Sequence, residues 1–136
     1  MVVSFTGTRN GMTIPQRKAV MTLMQQLKPS EAHHGDCLGS DENFHRICIA
    51  LGVPRVLHPC NIEYQRAYCD GAVLVHEPKP PLERNKDLVH AGQALIATPR
   101  LMKSELRSGT WATIRYAHKV RSVRVYIVWP NGRIDV

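Results

Sequence analysis

The chain has 136 residues, a formal net charge of +7, and 43% hydrophobic against 21% charged residues. That length and balance suit one hydrophobic core and exclude a disordered or low-complexity chain. No apolar run approaches the ~20 residues that span a bilayer, and the N-terminal stretch lacks the parts of a secretory signal, so a cytoplasmic protein without membrane contact is expected.

Val2 to Thr6 is a short β-favouring run that stops at Gly7, which predicts a buried first strand. The loop Gly7-Thr8-Arg9-Asn10-Gly11-Met12-Thr13 follows. A helix is predicted from Ile14, capped by Thr13, with Pro15 in a first turn where its missing N–H costs nothing. Val20, Leu23, Met24 and Leu27 recur at helical spacing on its apolar face. Glu31 to His34 reads as a second strand, with its two histidines pointing to opposite faces of the sheet. After the loop Gly35 to Asp41, a second helix is expected with Ser40 or Asp41 as its cap. Its stripe is Phe44, Ile47, Cys48 and Leu51, and Gly52 closes it. Val53 to His58 is the third predicted strand. Cys60 to Gly71 shows no period, Ala72 to His76 fits an edge strand, and Glu77 to Pro81 a stiff linker. Pro81 to Ala91 is a predicted helix with Leu82, Leu88 and Val89 inward, and Gln93 to Ala97 a fourth strand. The loop Thr98 to Gly109 leads to a helix over Thr110 to Val120, then a last strand over Val123 to Val128 and a turn at Trp129 to Gly132. Strands alternating with helices at this spacing predict a single Rossmann-like α/β domain over residues 1–136. Its sheet would be doubly wound and mainly parallel, of about five strands, with helices on both faces.

In such sheets ligands sit at the carboxyl ends of the strands. Gly7 to Thr13, Gly35 to Asp41 and Thr98 to Thr110 are rich in Gly, Ser, Thr and Asp, and each leads into a helix N-terminus, where free N–H groups favour an anion. Arg9 adds a fork of donors suited to phosphate. One pocket for a nucleotide-like, phosphate-bearing ligand is therefore expected. No G-x-G-x-x-G or Walker pattern is present, and no cofactor is indicated. The nearby carboxylates are Asp36, Asp41, Glu42 and Glu83. Asp41 reads first as a helix cap, and Asp36 either as a turn residue or as an acid; Asp36 and Glu83 are the catalytic candidates if a bond is cleaved. His58, Cys60, Cys69 and His76 match no standard zinc spacing, so no metal is expected. The four cysteines read as free thiols, and Trp111 as an anchor of the last helix. The densest basic stretch, Arg115 to Arg124, reads as a solvated helix end or as a nucleic-acid surface, with few aromatic residues to stack on bases.

Gly7-Thr8-Arg9, the run His34-Gly35-Asp36-Cys37-Leu38-Gly39-Ser40-Asp41, Leu51-Gly52-Val53-Pro54, Arg84-Asn85, Ala94-Leu95-Ile96-Ala97 and Ser108-Gly109-Thr110-Trp111 occur in an order that resembles the SLOG superfamily. That Rossmann-like group includes the LOG-type phosphoribohydrolases, the YspA/YpsA-related proteins and the DprA/Smf domain; the small YspA-like branch is the most similar. The resemblance implies a nucleotide pocket built from Gly7, Thr8, Arg9, Gly35, Asp36, Gly39, Ser40, Asp41, Arg84, Asn85, Ser108, Gly109 and Thr110, and a homodimer paired through helices. LOG enzymes carry a glutamate on the helix after a Pro-Gly-Gly-x-Gly-Thr loop. Here Trp111, Ala112 and Thr113 follow Thr110. Ligand binding is thus the first expectation, nucleotide N-glycosidic cleavage the second, and nucleic-acid binding the third.

Overall fold

The computed structural model describes residues 1–136. Its strands are β1 (Val2–Gly7), β2 (Glu31–His34), β3 (Arg55–Leu57), β4 (Leu74–Val75), β5 (Ala94–Thr98), β6 (Arg124–Val128) and β7 (Ile134–Asp135). The helices are α1 (Ile14–Leu27), α2 (Ser40–Leu51), α3 (Pro81–Ala91) and α4 (Gly109–Val120), with a single 3₁₀ turn at Glu63–Gln65. They form a mixed α/β structure on one sheet of order β4-β3-β2-β1-β5-β6-β7. Every neighbouring pair is parallel except β6 and β7. The sheet therefore has seven strands, not about five. The two added strands are two-residue edges: β4 lies within Ala72 to His76, where an edge strand was expected, and β7 is too short for any period to show in the sequence. β7 returns beside β6 through a turn in which Gly132, at φ 88°, donates its N–H to Trp129 O.

Alternation along the strands divides the core. Val3, Phe5, Ala32, Ala94, Ile96 and Val128 face α1 and α2, whose Val20, Leu23, Met24, Phe44, Ile47 and Cys48 cover them. Phe5 and Phe44 stack with ring centres 4.3 Å apart. On the opposite face Leu95, Ala97 and Val125 meet Val89 of α3 and Trp111, Ile114 and Ala117 of α4. Trp111 is thus a core anchor of its helix. No helix is long and apolar enough to cross a membrane.

Local chemistry explains the helix ends. Thr13 caps α1 in a full capping box: its Oγ1 accepts the Gln16 N–H, and the Gln16 side chain accepts the Thr13 N–H. The cap of α2 is Gly39, one residue earlier than expected, and its N–H is taken by the Glu42 carboxylate. Gly52 closes α2 in the left-handed conformation. Leu82 points outward and is 69% exposed, while Arg84 turns inward from the same helix. The reversal has a polar cause, because the strand ends below α3 offer carbonyls that a guanidinium can satisfy and a leucine cannot.

Candidate functional site

β1 is flanked by β2 on one side and β5 on the other. The chain leaves β1 toward α1 and leaves β5 toward α4, on opposite faces of the sheet, so the loops after β1 and β5 diverge and leave a crevice at their carboxyl ends. A cleft of about 440 Å³ fills it. Its walls come from Thr6 to Asn10 at the end of β1 and in the loop that follows, from Arg100, Glu105 and Arg107 to Thr110 after β5, from Asn85 and Arg84 of α3, and from Cys37, Asp41 and Gln65.

Arg9, Arg100 and Arg107 are exposed on this wall. Arg100 pairs with Glu105 at 2.8 Å; Arg9 and Arg107 pair with no carboxylate of the chain. At the start of α4, Ser108 Oγ accepts the Trp111 N–H and Ser108 O accepts the Ala112 N–H. The Gly109 and Thr110 N–H groups are left for an occupant of the cleft, where the positive end of the helix dipole adds to the arginines.

Arg84 is nearly buried and organises the floor. Its Nη1 donates to Gly35 O at 2.7 Å and to His58 O at 3.1 Å, which joins the ends of β2 and β3. Its Nε donates to Asn85 Oδ1, and its Nη2 lies 3.5 Å from Cys37 Sγ. Asp41 lies beside it, with Oδ2 accepting the Cys37 N–H at 3.0 Å. Burial pushes the Asp41 carboxyl up to about 6, against the opposing pull of the Arg84 guanidinium. Burial also lifts the Cys37 thiol to about 12, so it is no thiolate nucleophile.

The structure brings Gly7, Thr8, Arg9, Asp41, Arg84, Asn85, Ser108, Gly109 and Thr110 together on the cleft. Gly35, Asp36, Gly39, Ser40 and Glu83 lie off its wall. Ser40 donates its hydroxyl to Thr8 O and so splices the second loop to the first. Glu83 is exposed on α3. Asp36 is fully buried, its Oδ2 held by Arg66 at 3.0 Å and its Oδ1 by the Cys69 N–H at 2.8 Å. The glycines of the second loop make room for protein atoms: a Cβ at Gly35 would run into the Arg84 guanidinium, and one at Gly39, where φ is 91°, into the Arg9 backbone. Arg100, Glu105 and Arg107 were not among the expected site residues. Their signal was available as charge inside the Thr98 to Gly109 loop, ahead of a helix N-terminus.

Behind β2 and β3 the histidines form two separate sets. His33 Nδ1 and His58 Nε2 are 2.7 Å apart, and the His58 ring stacks on His76 at 4.4 Å. Burial, with His33 and His76 adding to it, lowers His58 to about 3. His34, His45 and Cys69 come together elsewhere, their ligating atoms within 4.8 Å of one another. The hydrogen bonds assign the tautomers. His34 Nδ1 accepts the Asp36 N–H, so its Nε2 carries the proton and donates to His45 Nδ1 at 2.9 Å; His45 Nε2 then donates to Asp70 O at 2.7 Å. An ion on His34 Nε2 would require that ring to lose its only proton. The set fits a neutral hydrogen-bonded chain, and burial holds His34 well below the usual histidine range. Cys69 lies with His34 and His45, so the grouping of His58, Cys60, Cys69 and His76 does not assemble.

No family model, curated protein or solved structure matches the chain.

Proposed function

We propose that the cleft between the β1 and β5 loops binds a nucleotide or nucleotide-derived ligand through its phosphate, in the manner of a Rossmann-like, SLOG-type domain. The observation that carries the reading is the placement of Arg9 and Arg107, two guanidinium groups without carboxylate partners, around the open N-terminus of α4. Paired donors in fixed forks suit a phosphate, and unpartnered helix N–H groups suit its remaining oxygens. The cleft volume of about 440 Å³ lies in the range of small-molecule sites. The resemblance of Gly7-Thr8-Arg9, Arg84-Asn85 and Ser108-Gly109-Thr110, in that order, to the SLOG superfamily favours a nucleotide over a bare anion.

Thermal unfolding with a panel of nucleoside monophosphates, nucleoside diphosphates and ADP-ribose tests this. A ligand at a hundred times its Kd stabilises the folded chain by about 2.7 kcal/mol. Gly109→Val is the matched control, because a Cβ at Gly109 meets nothing within 4 Å and the position lines the cleft. The variant is expected to fold normally and lose the shift. No shift with any phosphate-bearing compound sinks the reading, and a shift preserved in Gly109→Val moves the site elsewhere.

A second reading, cleavage of an N-glycosidic bond, draws on the two carboxyls that do line the cleft, Asp41 and Glu105. Release of free base from any nucleotide of the panel, followed by chromatography, separates it from binding alone.

A further inference from the structure

We propose that Asp41 takes up a proton when the cleft takes its anion, so that the bound ligand faces a neutral carboxylic acid. The inference rests on the phosphate-binding reading above and assigns that site a proton-linked affinity.

Asp41 is 5% exposed, yet it lines the cleft. It has no ion-pair partner. The cation packed against it, Arg84, is held by Gly35 O, His58 O and Asn85 Oδ1. Other charged and titratable groups surround it on its loop, on α2 and on the cleft wall. Asp36 and Cys37 share its loop, and Asp36 is locked to Arg66. On α2, Glu42 is turned to the Gly39 N–H and His45 to Asp70 O. Arg9, Arg100, Glu105 and Arg107 stand on the remaining cleft wall.

The carboxyl therefore ionises only at the cost of burying a charge that the Cys37 and Gly35 N–H groups and the neighbouring Arg84 guanidinium compensate in part, with no ion pair. Burial pushes its pKa up to about 6, which reflects that cost. A phosphate entering the same confined space adds a second negative charge, and like charges in one site drive protonation of the weaker acid. Linkage makes the effect reciprocal: if the anion raises the proton affinity of Asp41, the proton raises the affinity for the anion by the same factor.

Isothermal calorimetry with ADP-ribose tests the inference, because the diphosphate diester keeps its charge across pH 5 to 8 and does not itself titrate. Affinity of the native chain is expected to fall up to about tenfold for each pH unit above about 6, and binding at pH 7.5 to take up close to one proton, read from buffers of different ionisation heat. Asp41→Asn retains an acceptor for the Cys37 N–H and cannot ionise. It is expected to bind with a flat pH profile and, at pH 8, at least about tenfold more tightly than the native chain. A flat profile in the native chain overturns the inference and leaves the phosphate site intact. So does a folded Asp41→Asn variant, checked by its Tm, that binds more weakly than native at both pH 5.5 and pH 8. Absence of binding by ADP-ribose and by every nucleotide of the panel, at every pH, removes the phosphate-binding reading and the inference with it.

Discussion

The carboxyl edge of the sheet has two halves, both rich in polar residues, and they differ in how those residues are used. Beyond β2 and β3, Asp36 is clamped by Arg66 and the Cys69 N–H, and His34, His45 and Asp70 form a chain in which every ring nitrogen has a partner. Beyond β1 and β5, Arg9 and Arg107 stand without carboxylates around a helix N-terminus, over a cleft. Polar residues that satisfy one another stabilise a fold; polar residues left with free donors beside open space are available to a ligand. Asp36 and Asp41 put the contrast in one loop. Both are buried, but one is consumed by an internal ion pair and the other lines the cleft without one.

The comparison breaks most decisively at Asp36. Asp36→Ala leaves the Arg66 guanidinium without its counter-charge and the Cys69 N–H without its acceptor, so a loss of about 3–5 kcal/mol in urea unfolding is expected. Near-native stability together with lost nucleotide binding would put Asp36 in the site and erase the distinction between the halves.

Acid provides the next test. His34 and His58 are held below the unfolded histidine value of 6.5 by burial, so they add stability above pH 6.5 that is lost as pH falls toward their folded values. Asp41 acts in the opposite sense: raised from 3.8 to about 6, it favours the fold below pH 3.8, and that contribution is gone once pH rises through about 6. After discounting for solvent screening at His58, the histidines dominate, and a net loss of about 2 kcal/mol is expected between pH 7 and pH 5. A Tm unchanged over that interval would show the histidine half to be open to water.

The smallest stability effect belongs to the cleft. Arg9→Ala and Arg107→Ala are expected to change stability by less than about 0.5 kcal/mol, because both side chains are exposed and free of ion pairs. Each loses a charge-assisted contact to a phosphate, worth about tenfold in affinity. Unchanged nucleotide affinity in both would remove the arginines from the site.

The first strand, the two histidine-ended strand residues, α1 with its Thr13 cap and α3 over Pro81–Ala91 were legible in the sequence, since each rests on a local period, cap or proline. Much of the cleft was legible too, through Gly7-Thr8-Arg9 and Ser108-Gly109-Thr110, because glycine and small polar residues ahead of a helix announce an anion-favouring end. The second loop misdirects. Its Gly35 and Gly39 carry the same signal as Gly109, yet they make way for Arg84 and the Arg9 backbone. A glycine records that something comes close; its neighbours in the sequence do not say whether that is ligand or protein.

By itself, then, the sequence determined an alternating α/β chain with helix-opening loops, because caps, periods and turn residues act within a few positions of one another. Only the tertiary structure decided which of those loops share a cleft, turned Arg84 inward in place of Leu82, and divided Asp36 from Asp41. The partners concerned, Arg84 with Gly35 and His58, and Asp36 with Arg66 and Cys69, are at least 26 residues apart along the chain. Contacts at that separation are set by how the strands are ordered in the sheet, which no local pattern encodes.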